Sequence, residues 1–225
     1  MSDERTFDYS SEMKDYYKSD EVAENYHEAF SNEGHWRHRL IASRERQTIK
    51  NLINKVPNAS VLDIPTGTGK LAPVFAETGS SVLACDISEN MLQVAESEYE
   101  RTGVENARFQ ICDAEGITNT LDESFDVAVC LRLLHRVPSD TKRRILKELG
   151  SVADYVIVST GVESTFHSYR RTARQRILGG DEREHCYETS EVTREIMGDG
   201  FTIVASKRVL PILSQEHVYL LKPDE

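Results

Sequence analysis

Short apolar runs alternate with helix-like stretches along the middle of the chain, and this alternation restricts the possible folds more than any other feature. Runs such as Val127–Cys130 and Tyr155–Val158 offer no polar face, which is typical of strands covered on both sides of a parallel sheet. Such an order predicts right-handed crossovers and a doubly wound α/β sheet. The predicted strands are residues 60–64, 81–85, 107–112, 125–131 and 154–159, and the predicted helices between them are residues 70–78, 89–101 and 140–152.

The N-terminal part of the chain is predicted to be helical. Ile49, Leu52, Ile53 and Val56 recur at helical spacing, which indicates one buried helix face within residues 21–56. Pro57 is expected to end this helix, because proline cannot continue the hydrogen-bond ladder. We therefore predict that residues 1–56 form an N-terminal helical lid segment.

The C-terminal part completes the sheet. A helix is predicted at residues 191–197, followed by strands at 201–205 and 217–221. Together with the five central strands they give a Rossmann-like, seven-stranded, mostly parallel sheet with helices on both faces. Residues 57–225 are predicted to form this core, with a helical cap insertion at residues 161–188. Ser88 and either Ser139 or Asp140 are the predicted N-caps of two core helices.

Composition narrows the class of partner. The chain has 27 Lys and Arg against 38 Asp and Glu, a net charge of -11, so neither nucleic acid nor an anionic membrane is the expected partner. No apolar run approaches the ~20 residues that span a bilayer, and the first residues lack the apolar core of a signal peptide. The four cysteines form no C-x-x-C pair. We expect reduced thiols, no metal, a small-molecule substrate and a cytoplasmic protein.

A glycine turn directly after the first predicted strand marks the candidate ligand site. The sequence Val61-Leu-Asp-Ile-Pro-Thr-Gly-Thr-Gly69 places an acid, Asp63, at the end of a strand, and Gly67 and Gly69 in the turn that follows. Glycine permits a sharp turn and a close approach of a ligand to the backbone. In an open α/β sheet the crevice at the carboxyl ends of the strands is where ligands bind.

Three nucleotide ligands compete for this turn. A Walker phosphate loop fails, because Leu71 follows Gly69-Lys70 where a hydroxyl residue is required. A dinucleotide fingerprint fits the stretch from Gly67 to Ala72, and Asp86 ends the next strand at a suitable distance. However, Asp63 would set a negative charge near a pyrophosphate. The acid is better explained by a ligand that carries no phosphate there.

Four successive motifs resemble those of class I S-adenosylmethionine-dependent methyltransferases of the small-molecule type, similar to the methyltransferase-11 and -25 groups. The first motif is the glycine turn, and the second is Val82-Leu-Ala-Cys-Asp-Ile-Ser88 with Met91 following. The third is Gln110-Ile-Cys-Asp-Ala-Glu115, and the fourth is Phe125-Asp-Val-Ala-Val-Cys-Leu-Arg-Leu-Leu-His135. The resemblance covers residues from about 60 to 160 and implies S-adenosylmethionine as the cofactor. It departs from the family at Pro65, where the family usually has glycine.

The resemblance also implies residue roles. Asp63 and the backbone at Gly67 should meet the methionine end of the cofactor, and Asp86 should hold the ribose hydroxyls. Asp113 should accept a hydrogen bond from the adenine amino group, and an apolar wall should cover the adenine face. Cys130 and Leu131 should line the floor near the methyl group. The other implied cofactor-binding residues are Pro65, Thr66, Gly69, Ile87, Met91, Ala114 and Arg44.

The sequence says less about the methyl acceptor than about the cofactor. The slot Cys130-Leu-Arg-Leu lacks the Asp/Asn-Pro-Pro-Tyr/Phe of enzymes that methylate base nitrogens, which again argues against a nucleic acid. A general base is needed only if the nucleophile carries a proton, and the candidates are His135, His167 and Tyr17. Basic clusters around residues 37–50 and 170–176 suggest an anionic acceptor as a hypothesis.

The expected function is therefore methyl transfer by in-line displacement to a small-molecule acceptor, with release of S-adenosylhomocysteine. Two alternatives stay open at this point: a non-catalytic S-adenosylmethionine-binding sensor or scaffold, and an NAD-dependent oxidoreductase. The acceptor atom stays open between oxygen, nitrogen, sulfur and carbon. The protein is expected to be a monomer or a homodimer.

Overall fold

A computed structural model describes the fold of residues 36–56, 59–163, 186–210 and 214–224. The helices in these ranges are α1 (Trp36–Ile53), α2 (Ala72–Thr78), α3 (Glu89–Thr102), α4 (Ser139–Val152) and α5 (Ser190–Met197). The strands are β1 (Ser60–Asp63), β2 (Ser81–Asp86), β3 (Ala107–Ile111), β4 (Phe125–Cys130), β5 (Ala153–Gly161), β6 (Phe201–Arg208) and β7 (Glu216–Pro223). Short 3₁₀ helices lie at Ile117–Asn119 and Leu134–Arg136.

The strands form one seven-stranded sheet in the order β3-β2-β1-β4-β5-β7-β6. Strands β1 to β5 pair in parallel, and β7 runs antiparallel to both β5 and β6. The order reverses between β1 and β4, which is the topological switch point where a doubly wound sheet opens its ligand crevice. The predicted α/β fold class, with its mostly parallel seven-stranded sheet, is confirmed.

Both faces of the sheet are covered by helices, as the apolar strands indicated. Alternate strand residues face opposite sides: Val61 packs in the core on the α1 and α2 side, whereas Leu62 packs in the core on the α4 and α5 side. Ile49 of α1 belongs to the first of these cores and is completely buried. The division of the chain at residues 56 and 57 stays a prediction, and the described part of the first segment packs directly on the sheet.

Local differences from the sequence predictions have simple causes. Helix α2 begins at Ala72 rather than residue 70, with Pro73 in its first turn, where a missing N–H costs no hydrogen bond. Ser88 is an N-cap as predicted, because its Oγ accepts a hydrogen bond from the Met91 N–H. The prediction of Ser139 or Asp140 as an N-cap is wrong: Pro138 takes that position, and the Ser139 hydroxyl donates to the carboxylate of Glu188.

The cap insertion is described only at its two ends, because residues 164–185 lie outside the described residues. Glu163 N–H donates to the Glu188 carbonyl, and Cys186 N–H donates to the His135 carbonyl at 2.9 Å. The buried amine of Lys142 donates to the Cys186 carbonyl at 2.7 Å and to the Glu188 carboxylate at 3.1 Å. These bonds fasten the end of the insertion to α4 and to the loop after β4. No helix in the described ranges has the length and apolar character to cross a membrane.

Candidate functional site

One cavity lies at the carboxyl ends of the parallel strands, and three carboxylates from neighbouring strands line it. Asp63 is the last residue of β1 and Asp86 the last residue of β2, while Asp113 follows β3. Parallel strands end at the same sheet edge, so three acids far apart in sequence meet around one space. The cavity is also lined by the glycine turn after β1 and by residues of α1 and of the loop after β4.

The glycine turn uses its own N–H groups within the protein. Thr66 N–H donates to the Cys85 carbonyl at 2.8 Å, and Gly67 N–H donates to Asp86 Oδ2 at 2.9 Å. Gly69 N–H donates to the Thr66 carbonyl at 3.1 Å. The Ile64–Pro65 peptide bond is cis. The turn therefore keeps a defined path despite Pro65, and these three donors do not point at a ligand phosphate.

Asp63 is a buried carboxylate held by two hydroxyl residues. It is 2% exposed, and the Tyr99 hydroxyl donates to its Oδ2 at 3.1 Å. Burial raises the pKa of Asp63 to about 7, and the charge of Asp86 adds to this, while hydrogen bonds from Thr66 and Tyr99 act in the opposite direction. A carboxylate poised in this way gains most from a cationic ligand group, because a nearby positive charge favours the ionised form.

Asp86 links the glycine turn to the next helix. Its Oδ2 accepts from Gly67 N–H and its Oδ1 accepts from Ser88 N–H at 3.0 Å. Burial raises its pKa, while these backbone hydrogen bonds act in the opposite direction. Each carboxylate oxygen has a second lone pair, so Asp86 can still accept hydrogen bonds from hydroxyl groups in the cavity.

A largely buried cluster of charged residues borders the same cavity, hereafter the charged cluster: Glu45, Lys70, Arg132 and Glu216. Arg132 donates to Glu45 through both Nε, at 3.3 Å to Oε1, and its terminal nitrogen. Glu216 Oε1 lies 4.0 Å from Arg132 Nε. Glu45, Lys70 and Arg132 line the cavity, and Glu216 lies behind them.

The pKa values of the two acids in the charged cluster are shifted in opposite directions. Burial alone would raise the pKa of Glu45, but the ion pair with Arg132 holds this pKa below its ordinary value. Burial and the nearby Glu45 charge raise the pKa of Glu216 to about 8. At neutral pH the cluster therefore holds one ionised carboxylate paired with Arg132 and one carboxyl group that keeps its proton.

Comparison with known proteins agrees with this geometry. Residues 61–154 match a family model described as a methyltransferase domain. The chain is 36% identical over 78 residues to the ubiquinone biosynthesis O-methyltransferase of Pseudomonas fluorescens strain Pf0-1, a segment that covers 35% of this chain and 33% of that relative. Residues 61–154 are thus similar to a methyltransferase domain, as the four sequence motifs predicted.

Other relatives cover different shares of the chain. The corresponding enzyme of Pseudomonas entomophila strain L48 is 30% identical over 118 residues, which are 52% of this chain and 47% of that relative. The chain thus spans less than half of the length of these curated relatives. Magnesium protoporphyrin IX methyltransferase from Synechocystis PCC 6803, with bound S-adenosylhomocysteine, has a TM-score of 0.78 at 20% identity. That comparison covers 96% of this chain and 100% of the other, and it shows a shared fold.

The cavity brings together most of the residues selected from the sequence. Those that line it are Asp63, Pro65, Thr66, Gly67, Asp86, Ile87, Met91, Asp113, Ala114 and Leu131. Gly69 and Cys130 are buried behind the lining. Arg44 is exposed and does not line the cavity, whereas Arg46 of the same helix does. The individual contacts with the cofactor stay predictions.

Of the three candidate bases only His135 falls within the described residues, and it does not line the cavity. The His135 ring lies outside the lining and stacks on Tyr187, with ring centroids 6.2 Å apart. Its position gives no support to a catalytic role. His167 and Tyr17 lie outside the described residues, as do Arg170 and Arg174 of the proposed anion-binding cap.

Several lining residues were not among the predicted cofactor-binding or catalytic residues, although the first arginine belongs to the basic cluster of residues 37–50: Arg46, Glu45, Thr68, Lys70, Cys112, Glu115, Arg132 and Arg136. One signal was present for two of them. Lys70 directly follows the glycine turn, and Arg132 lies in the slot after the fourth strand. A charged residue that directly follows such a ligand-binding motif is a candidate for the lining of the cavity. Thr68 is 2% exposed, and its hydroxyl has no hydrogen-bond partner among the described residues, so it offers a polar contact to a ligand.

The two glycines of the turn should respond differently to alanine. Gly69 has φ +75°, and an added Cβ would lie 3.1 Å from Ala95 Cα and 3.2 Å from its carbonyl oxygen. Gly69→Ala should therefore lower the free energy of unfolding by roughly 2–4 kcal/mol. Gly67 has φ +55° with no atom within 4 Å of an added Cβ, so Gly67→Ala should cost only about 1–2 kcal/mol. Urea unfolding of both variants checks this order, and equal losses would contradict it.

Proposed function

We propose that this methyltransferase transfers a methyl group from S-adenosylmethionine to a small anionic acceptor and releases S-adenosylhomocysteine. The observation that carries the proposal is the convergence of Asp63, Asp86 and Asp113 on one cavity beside the glycine turn. The cofactor supplies an activated methyl group on a sulfonium. The chain's own task is to hold the acceptor in line with that methyl and to exclude water.

The lining residues fit the chemical groups of the cofactor. Asp63 is buried and gains from a cation, which suits the ammonium of the methionine end. Asp86 retains accepting capacity for the ribose hydroxyls, and Asp113 is assigned to the adenine amino group. Ile87 and Met91 offer the apolar surface that suits a purine face. The buried Thr68 hydroxyl is a further polar contact for the methionine end.

The glycine turn supports this cofactor over a dinucleotide. A pyrophosphate needs backbone N–H donors aimed at it. Here the N–H groups of Thr66, Gly67 and Gly69 are bonded to protein oxygens. The first of the three acids, Asp63, would also repel a phosphate. These features weigh against the NAD-dependent oxidoreductase.

An anionic acceptor is favoured by two arginines of the lining. Arg46 and Arg136 line the cavity, and their side chains form no hydrogen bond or ion pair with another described residue. One guanidinium can serve the carboxylate of the cofactor's methionine end, which leaves the other for an anion on the acceptor. The ubiquinone-biosynthesis and magnesium protoporphyrin IX names of the relatives support a small-molecule acceptor.

Calorimetry and turnover test the cofactor assignment. S-adenosylmethionine and S-adenosylhomocysteine should each bind to the full chain with a stoichiometry of one, whereas NAD should not bind. Binding of NAD alone would contradict the proposal. Conversion of S-adenosylmethionine to S-adenosylhomocysteine in a metabolite extract should depend on the protein. Binding without any turnover would favour the sensor or scaffold instead.

The charge of the acceptor can be tested before its identity is known. Passage of the metabolite extract over an anion-exchange resin should remove methyl-acceptor activity, and a salt eluate should restore it. An acceptor that stays in the unbound fraction would contradict the anionic assignment. With the recovered acceptor, Arg46→Gln and Arg136→Gln should together raise the apparent KM roughly tenfold or more. Arg101→Gln is the matched control, because Arg101 is exposed and outside the cavity.

A further inference from the structure

Lys70 occupies a position that the function proposed above does not yet use. It directly follows the glycine turn, lines the cavity, and its Nζ atom is buried. Arg132, which also lines the cavity, follows Leu131, the residue assigned to the floor near the transferred methyl. Lys70 and Arg132 line the same cavity, and the charges of their side chains act on one another. The Lys70 amine therefore has access to the space in which an acceptor would be held.

The surroundings of Lys70 favour a neutral amine. Burial and the positive charge of Arg132 lower the pKa of Lys70 to about 6, while the carboxylate of Glu45 acts in the opposite direction. The charged groups around this end of the cavity are Glu45 and Arg46 of α1, Asp63 of β1, Arg132 after β4 and Glu216 of β7. A lysine kept neutral by desolvation and a nearby cation can act as a base or nucleophile at neutral pH.

We propose that the Nζ of Lys70 is the general base that removes the acceptor's proton during methyl transfer. The inference rests on the proposed function and applies to an acceptor whose nucleophilic atom carries a proton. That proton passes to Nζ as the acceptor's electron pair forms a bond to the methyl carbon. The carbon–sulfur bond breaks with its electron pair kept by sulfur, so the products are the methylated acceptor, the thioether and a lysine ammonium. Solvent takes the proton after the product leaves.

The charge changes of this step support the assignment. The positive charge on sulfur disappears as a positive charge appears on Lys70, so the net charge inside the cavity does not change. Before the step, Arg132 and the sulfonium both disfavour protonation of Lys70. After the step, the sulfonium charge is gone and Glu45 stabilises the new ammonium. The cavity therefore favours the neutral amine before methyl transfer and stabilises the ammonium afterwards, as a general base requires.

A measurement without any acceptor tests whether the charge on the cofactor's sulfur changes the pKa of Lys70. The protein labelled with ¹³C at lysine Cε is titrated by NMR in the presence of S-adenosylmethionine and, separately, of S-adenosylhomocysteine. The two ligands differ by one methyl group and one positive charge. The titration midpoint of Lys70, assigned with Lys70→Arg, should be at least one pH unit higher in the homocysteine complex, a tenfold difference in proton affinity.

Each outcome of the titration is decisive. Equal midpoints in the two complexes, or a midpoint in the ordinary lysine range in both, would overturn the role of Lys70 and leave the proposed function standing. If neither ligand binds to the wild-type chain, the proposed function itself fails. Lys147→Met is the control, because Lys147 is exposed and outside the cavity. It should leave the Lys70 titration unchanged.

Turnover of the acceptor recovered from the extract gives a second readout. Lys70→Met and Lys70→Arg should each lower kcat roughly 10²- to 10⁴-fold, since neither side chain accepts a proton at neutral pH. Cofactor affinity should stay within about threefold, because a base contributes to the transition state rather than to ground-state binding. In the wild type, kcat/KM should rise with pH through the Lys70 midpoint and then level off. A Lys70→Met enzyme with wild-type kcat would refute the proposal.

Discussion

Asp63→Asn is expected to weaken binding of S-adenosylmethionine strongly and to stabilise the ligand-free protein at pH 8. Asparagine has nearly the shape of aspartate and keeps an oxygen that can accept the hydrogen bond from Tyr99. It removes the charge that the cofactor's ammonium needs. Loss of a charge-assisted contact in a buried site should lower the affinity by roughly 100-fold or more. The same charge is costly in the empty, folded site.

The stability effect follows from the pKa of Asp63, which is about 7 in the fold against an ordinary value of 3.8. Between these values the folded state binds more protons than the unfolded state, so the free energy of unfolding falls as pH rises. Above pH 7 this loss is complete, with an upper bound of about 4 kcal/mol. Because buried sites relax, Asp63→Asn should gain roughly 1–3 kcal/mol at pH 8 and little at pH 4.

Urea unfolding at both pH values, with calorimetric binding of S-adenosylmethionine, measures the two effects together. Asp126→Asn is the matched control, because Asp126 accepts hydrogen bonds from the Ser60 N–H and hydroxyl and these lower its pKa. That variant should lose stability above pH 4 and bind the cofactor normally. An Asp63→Asn protein that binds the cofactor within tenfold of the wild type would contradict the assigned role. A loss of stability at pH 8 would contradict the burial argument.

The strands of the core were predictable because their signals are local. Val127–Cys130 has no polar face, which predicts a strand buried on both sides of a parallel sheet. These residues lie in β4. The carboxylates could be placed for the same reason. An acid at the end of a buried parallel strand must emerge at one edge of the sheet, and this rule brought Asp63 and Asp86 together from the sequence.

The charged cluster could not be predicted, because it depends on contacts between distant segments. Glu45 and Arg132 are 87 residues apart, and nothing in either neighbourhood marks the other as its partner. Arg132 also adopts a left-handed backbone conformation with φ 61°, which is uncommon for a residue with a side chain. The sequence contained the arginine in the right slot but not the turn that directs it toward α1.

Ser139 shows how a tertiary contact overrides a local rule. A serine before an amphipathic stretch is a good N-cap candidate, yet its hydroxyl donates to Glu188, 49 residues away. Glu188 also accepts from the buried Lys142 amine. The serine therefore helps to hold the end of the cap insertion against α4. Pro138 takes the N-cap position, and its side chain makes no capping hydrogen bond.

Arg132→Met is expected to cause the largest loss of stability among single substitutions at the charged cluster. It leaves the carboxylate of Glu45, which is 4% exposed, without its cation. Removing one partner of a buried ion pair costs roughly 3–5 kcal/mol. The backbone contributes nothing to the difference, because methionine and arginine have the same Cβ and meet the same strain at φ 61°. Urea unfolding at pH 8 measures the effect.

The contribution of Glu45 to the free energy of unfolding should change with pH in opposite directions in Arg132→Met and in the wild type. In the wild type the pKa of Glu45 is lowered, so its contribution to stability is present above the unfolded pKa and is lost as pH falls. Without Arg132, burial outweighs the smaller effect of the Lys70 charge and raises the pKa of Glu45. The stability of the variant should therefore decrease as pH rises. The deficit relative to the wild type should therefore be smaller at pH 5 than at pH 8. A deficit of less than about 1 kcal/mol at pH 8 would show that the carboxylate reaches solvent.

A double substitution separates loss of charge from loss of packing. Glu45→Met with Arg132→Met removes both charges and keeps side chains of similar volume, so it should recover most of the stability lost in Arg132→Met. Recovery is expected in urea unfolding at pH 7, because burial raises the pKa of Glu216 to about 8 and the protonated group needs no cation. If the double variant stays as unstable as the single one, then Arg132 stabilises the fold by packing.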